Sequence, residues 1–232
     1  MKKTYALCIL LLLTLLPASL SAQKLPVKLG LRIAPSIDWM TSNTKNYSYN
    51  GIKPGITIGF MSDIYFAERY AFSTGFDFAF LNGKLTYADS VFVPADGLVH
   101  NGQVDRKYNI IYLQIPLMIK MKTKDFGKFS FFGQIGFGTA FRLKASAVDE
   151  FKPDKGSPVE QDYNLDNGTS LIRESIIIGG GAEYHLDQSS RIVIGLNYSN
   201  SLNNVLTGYN YKSGESIKSM LNFLELNLGF LF

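Results

Sequence analysis

Six charged residues interrupt an otherwise apolar and small-residue pattern and mark where this chain could do chemistry: Arg32, Asp77, Arg142, Arg173, Glu183 and Glu225. Carboxylates and guanidinium groups on one surface have two uses. They can line a path for ions, or they can neutralise one another in salt bridges that tie neighbouring segments together. Nucleophilic catalysis needs a base and an orienting acid beside the nucleophile. The two histidines, His100 and His185, fall in different connections, and neither comes with an evident Ser and acidic partner. G-Q-I-G-F-G at 133–138 has glycines like those of a phosphate loop but precedes no helical pattern, so they read as space-saving. D-Y-N-L-D-N-G at 162–168 spaces Asp162, Asn164 and Asp166 as the first ligands of a calcium loop. Its glycine is one place late, and Arg173 stands where the bidentate Glu belongs. A solvated turn is the simpler reading. The sequence therefore assigns no catalytic residue, cofactor site or metal ligand, and the chain reads as non-enzymatic.

The elements that must position the six charges show a period of two. Segments at 27–33, 52–64, 70–80, 111–120, 129–142, 172–186, 191–198 and 222–232 alternate large apolar residues with glycine, small or polar ones. Such alternation makes a strand with two unlike faces. In the last segment Leu224, Leu226, Leu228, Phe230 and Phe232 oppose Glu225, Asn227 and Gly229. A Phe ending such a strand resembles the signal read by bacterial barrel-insertion machinery, with Leu226, Leu228, Phe230 and Phe232 as its apolar residues. Short connections at 65–69, 122–128 and 185–190 alternate with long polar ones at 41–50, 82–107, 145–170 and 201–217. Short inner turns, long outer loops and an even strand number are the pattern of outer-membrane barrels.

Polarity decides between a membrane barrel and a soluble one. A soluble barrel points its large apolar residues inward and its charges outward. Here Arg32, Lys53, Asp63, Asp77, Arg142, Arg173, Glu183 and Glu225 share the glycine-bearing face, which suits a narrow lumen better than a soluble core. An Arg or Lys on the lipid face at mid-bilayer costs about 2–4 kcal/mol, which accounts for their scarcity on the Ile/Leu/Phe face. Sheet edges cannot be left open in hydrocarbon, so the sheet must close. The expected fold is all-β, an eight-stranded antiparallel transmembrane barrel in an up-and-down meander. Its lumen charges read as a structural network, since an eight-stranded interior is just wide enough for side chains to fill. Pro116, in the middle of the fourth segment, reads as a bulge or kink. Trp39, Tyr47, Tyr49, Phe80, Tyr87 and Tyr108 are expected at one membrane interface, and Tyr65, Phe66, Tyr70, Phe126, Tyr184 and Phe232 at the other.

Residues 1–22 read as a secretory signal peptide, with Lys2 and Lys3, an apolar run and the small residues Ala18, Ser19, Ser21 and Ala22. Its removal leaves 23–232 as one barrel domain without Cys8, the only cysteine. Lys+Arg then falls from 23 to 21 against 19 Asp+Glu, so the formal charge drops from +4 to +2. That balance gives no electrostatic case for nucleic acid. The partners expected are outer-membrane lipid, the barrel-assembly machinery during insertion, and other envelope or secretion proteins.

Y-L-Q-I-P-L-M-I-K at 112–120, F-F-G-Q-I-G at 131–136 and G-G-G-A-E-Y at 179–184 resemble the PorT-like family of small outer-membrane β-barrel proteins. The resemblance spans nearly all of 23–232. It implies the barrel fold and an outer-membrane location, and suggests an accessory role in protein secretion. A narrow pore or small-ligand-binding barrel is the alternative, and an outer-membrane lipid-modifying enzyme is a third.

Overall fold

The computed structural model describes residues 27–93, 97–154, 156–187, 189–208 and 216–232. The expected signal peptide lies outside the described residues. Ten strands are present among them: β1 (Val27–Ser42), β2 (Tyr47–Tyr49), β3 (Lys53–Ala67), β4 (Tyr70–Val93), β5 (Leu98–Lys122), β6 (Phe129–Pro153), β7 (Val159–Asn164), β8 (Ile172–His185), β9 (Arg191–Ser201) and β10 (Ser219–Leu231). Eight form a closed antiparallel ring in the order β1, β3, β4, β5, β6, β8, β9, β10. Closure is made by β10 on β1, from Gly30 opposite Leu231 to Ser42 opposite Ser219. The eight-stranded meander expected from the alternation is the fold this chain forms.

The alternation also sorts the two faces as the polarity argument requires. Leu31 is 62% exposed, whereas Arg32 beside it is 9% exposed. Along the ring, Ile58, Phe76, Phe78, Leu117, Ile135, Phe137, Ile178, Ile194 and Leu226 stand outward. Ala34, Thr57, Asp77, Gln114, Ala140, Ser175 and Glu225 are buried inside. An apolar outer band over a polar interior suits hydrocarbon as the outer solvent, and a closed ring leaves no unpaired edge within it.

Three expectations need correction. The stretch 82–107 is not a loop: β4 and β5 run on as a paired hairpin to Val93 and Leu98 in unbroken register. Likewise β6 continues to Pro153, β7 folds back on its upper half, and β2 pairs the upper half of β4. Above the bilayer both faces of a sheet can be polar, so strand there loses the greasy–polar contrast that betrays it within the membrane. Pro116 makes no bulge. It pairs with Gly138, and the register shift of β5 against β6 falls at Ile111/Tyr112. The missing donor shows instead on the β4 side, where pairing lapses between Thr74–Leu117 and Asp77–Gln114 and resumes in the same register.

The third correction concerns the aromatic girdles. Trp39 stacks on Tyr198 at the outer rim, with ring centroids 6.0 Å apart, and Phe66 stacks on Tyr70 at the inner rim, at 6.2 Å. Tyr65, Tyr87 and Tyr108, however, are buried on the inward face. Tyr47 stacks on Tyr87 at 4.5 Å rather than facing lipid. Each of the three buried tyrosines sits on the lumen-facing parity of its strand, which residue type alone did not reveal.

Candidate functional site: the lumen and the outer sheet

The barrel interior is filled in tiers. At mid-height Arg32 of β1 bridges Asp77 of β4 and Glu225 of β10. Its Nε and Nη2 donate to the two Asp77 oxygens at 2.9 and 2.7 Å, and its Nη1 donates to Glu225 Oε1 at 2.7 Å. The fork geometry of guanidinium suits such a bidentate clamp. Asn197 Nδ2 adds a donor to Glu225 Oε1 at 2.9 Å, and Gln134 Nε2 donates to Asn197 Oδ1 at 2.7 Å, which carries the network across β9 to β6. Gly59 makes room for the clamp: a Cβ there would collide with Asp77 Oδ1 and lie 2.6 Å from the Phe76 carbonyl oxygen.

A second ionic tier lies towards the inner mouth. Lys120 of β5 reaches Asp63 at 2.7 Å and Glu183 at 2.6 Å. Lys122 also pairs with Glu183, and Arg191 does so at 2.8 Å. Lys120 Nζ lies 4.5 Å from the Phe132 ring centroid. Phe132 belongs to a small apolar knot with Met61, Val193 and Leu231. Between the two ionic tiers a cavity of about 20 Å³ is bordered by Arg32, Asp77, Lys120, Gln134 and Asn227. It has room for about one water.

The outer third of the lumen is apolar. Met40, Leu81, Leu85, Tyr108, Ile110, Leu221 and Phe223 pack there with Val205 and Leu206, which the chain after β9 folds into the mouth. Backbone bonds hold this plug: Ser170 N donates to Val205 O at 2.9 Å, and Val205 N donates to Ser219 O at 2.8 Å.

The six charges singled out in the sequence are thus distributed among separate groups. Arg32, Asp77 and Glu225 meet in one clamp. Glu183 belongs to the inner tier, whose partners Asp63 and Lys120 share the same lumen-facing parity. Arg173 is wholly buried among neutral acceptors. It donates to Ser201 Oγ at 2.8 Å, Ser199 Oγ at 3.0 Å and Leu221 O at 3.0 Å, over the Phe223 ring. Arg142 stands at the outer rim, donates to Thr169 Oγ1 at 2.7 Å and lies 3.8 Å from Asp166. Leu226, Leu228, Phe230 and Phe232 all point outward on the closing strand.

The candidate chemistry can be placed as well. His185 Nε2 lies 3.1 Å from Ser130 Oγ and 3.6 Å from Asp125 Oδ1, so the fold supplies Ser and Asp neighbours that the sequence did not suggest. A relay needs them on opposite ring nitrogens. Both contacts are made by Nε2, which differs from the two-sided arrangement of such a relay. In the calcium-like stretch, Asp166 Oδ1 accepts from Ala145 N and Asn164 Oδ1 accepts from Asp166 N, both at 2.8 Å. Those oxygens serve turn geometry, and no metal-binding group is present among the described residues.

Above the membrane β2, β4, β5, β6 and β7 form a sheet. On its inward face Arg106 grips Asp149 through two bonds of 2.5 Å and lies 5.5 and 5.0 Å from the ring centroids of Tyr87 and Tyr163. On its outward face Asp105 accepts from Thr86, from Asn50 at 2.9 Å, from Lys152 at 2.9 Å and from Lys84 at 3.3 Å. Burial pushes the Asp105 carboxyl up, but bonds from Thr86, Lys152 and Lys84 outweigh it and hold the group down at about 2.

The family described as outer membrane protein beta-barrel domain matches residues 21–228. No curated protein matches the sequence. Among solved structures, the chain is similar to Neisserial surface protein A, with 10% identity over 88% of this chain and 95% of that one and a TM-score of 0.48. It is similar to Ail, the attachment invasion locus protein of Yersinia pestis, with 11% identity over 88% and 98% and a TM-score of 0.40. It is similar also to OprG from Pseudomonas aeruginosa, with 10% identity over 89% and 95% and a TM-score of 0.42. With the family match running from before β1 into β10 and the eight strands closed around a polar lumen, the chain belongs to the outer membrane protein β-barrel domain family and resides in the cell outer membrane.

Proposed function

We propose that this barrel is a non-conducting, non-enzymatic scaffold of the outer membrane. It works through the sheet that β4, β5 and β6 raise above the bilayer, in a PorT-like accessory role in protein secretion. The observation that carries this reading is the filled lumen. Arg32 spans from Asp77 to Glu225 at mid-height, and Val205 and Leu206 cap the outer third. An interior packed in this way serves as a core, which leaves the exterior surfaces as the working parts. The strand surplus supports the same reading. β4, β5 and β6 are 24, 25 and 25 residues long, against the 9–11 or so that cross a bilayer.

The test is deletion of the chain in its own cell, with quantification of proteins exported to the medium. Selective loss of secreted cargo, with the outer membrane still impermeable to large dyes, is the expected result. Intact export would overturn the secretion role, and uptake of small solutes that depends on this chain would favour a narrow pore.

A further inference from the structure

The outer sheet has two long edges, and they are built differently. One is β7, whose residues V-E-Q-D-Y-N carry Glu160 and Asp162. Charged side chains on an edge discourage a further strand from adding to it. The other is the upper end of β4. On its side away from β5, β4 is paired by β3 as far as Phe80 and by β2 from Leu85 to Tyr87. From Ala88 to Val93 no strand lies on that side among the described residues, while pairing with β5 continues without a break to Val93 opposite Leu98. The stretch A-D-S-V-F-V has no lysine, no proline and no bulge, and its single charge is Asp89. Asp89 apart, it lacks the devices that guard an edge.

Six residues of free ladder, about 20 Å long, offer alternate N–H and C=O groups that another extended backbone satisfies in sequence. Side chains narrow the choice. Phe92 and Val99 stand directly opposite one another on the outward face, 57% and 66% exposed. In water above the bilayer, that pair is served best by an apolar neighbour. Asp89, on the inward face, accepts from Ser90 N at 2.8 Å and makes no ion pair among the described residues. Arg106 on the same face is committed to Asp149. We propose, on the basis of the secretion role above, that β4 from Ala88 to Val93 captures an extended segment of an exported protein by antiparallel strand addition. The segment places an apolar residue opposite Phe92 and, three places on, a lysine or arginine opposite Asp89. A second copy of this chain in the same membrane fits worse. Its β4 also runs outward, so it would add in parallel, and symmetry would bring one Asp89 up against the other.

The test uses the purified full barrel in phosphatidylcholine nanodiscs and a labelled probe peptide, threonine-valine-threonine-valine-lysine-valine-threonine. Binding is read by fluorescence anisotropy, and its place by amide hydrogen exchange. Successive N–H groups of a strand point to opposite sides, so methylating one alternate set of peptide nitrogens should weaken binding about tenfold, and methylating the other set should leave it unchanged. Exchange should slow at 88–93 and not at 159–164. D89K should weaken binding about threefold, as should F92S, whereas E160Q/D162N should not. Should a variant fail to fold, the two methylated peptides decide on the wild-type barrel. In the cell, D89K/F92S should reduce export as deletion of the chain does. Equal binding of the plain and both methylated peptides, protection away from 88–93, or normal binding by D89K and F92S would overturn the proposal. Export lost on deletion but untouched by D89K/F92S would overturn it and leave the secretion role standing. A protected edge in a chain whose deletion leaves export intact would overturn the secretion role and, with it, this occupant.

Discussion

Replacing Arg32 by Met should be among the most damaging changes available inside this barrel. The guanidinium makes three bonds of 2.7 to 2.9 Å to Asp77 and Glu225, and neither carboxylate is more than 3% exposed. Met has comparable length and no charge. The variant therefore leaves two buried carboxylates near one another, with Asn197 as the remaining side-chain donor to Glu225. Breaking a buried pair by removing one partner costs about 3–5 kcal/mol. Taking the middle of that range, at about 1.4 kcal/mol per decade, the folded-to-unfolded ratio should fall by roughly a thousandfold. The assay is urea unfolding from lipid vesicles, followed by the fluorescence of Trp39, the chain's single tryptophan. A companion variant, R32M/D77N/E225Q, removes the charges together and should recover most of the loss. A single variant within about 1 kcal/mol of wild type, or a triple variant as unstable as the single, would refute the clamp as the organising contact of the lumen.

Gly59→Ala puts a methyl group into Asp77 and the Phe76 carbonyl, so it should displace the clamp and cost about 1–3 kcal/mol in the same unfolding assay. Phe137→Lys, at an outward position 57% exposed, should cost about 2–4 kcal/mol and reduce the fraction that inserts into vesicles, whereas Phe137→Leu should insert normally. In the outer sheet the Asp105 carboxyl sits at about 2, below its ordinary 3.8. A depressed carboxylate stabilises the folded form at pH values above the ordinary one, and that stabilisation is lost as pH falls from about 4 towards 2. Pepsin should therefore begin to cut the 82–107 hairpin within that window, and Asp105→Asn should flatten the pH dependence.

The ring was legible because lipid imposes a rule on every spanning residue. Leu31 and Arg32, or Phe76 and Asp77, could be assigned to opposite faces from their order alone, and eight such segments supplied the strand count. That rule stops at the headgroups. Thr86 and Asp105 are strand residues on an outward face that water would tolerate, so the upper halves of β4, β5 and β6 read as polar loop. Within the lumen, alternation could say which charges face inward but not which of them meet. Asp77 and Glu225 lie 148 positions apart in the chain and share Arg32 because β1 is flanked by β10 and, through β3, by β4. Arg142 and Arg173 carry the same inward parity yet sit at other heights, Arg142 beside Thr169 and Asp166 and Arg173 among neutral acceptors. Tyr87 and Tyr108 failed as girdle residues for a related reason: aromatic type suggests an interface, but parity put their rings inside.

Single-channel recording in planar bilayers probes the proposed closed lumen itself, which the Arg32 clamp crosses and Val205 and Leu206 cap. With purified barrel shown to be folded by its heat-modifiable gel mobility, a flat trace is expected in molar potassium chloride at either polarity. Reproducible unitary steps from the wild-type chain would contradict it and would make the lumen charges an ion path rather than a core.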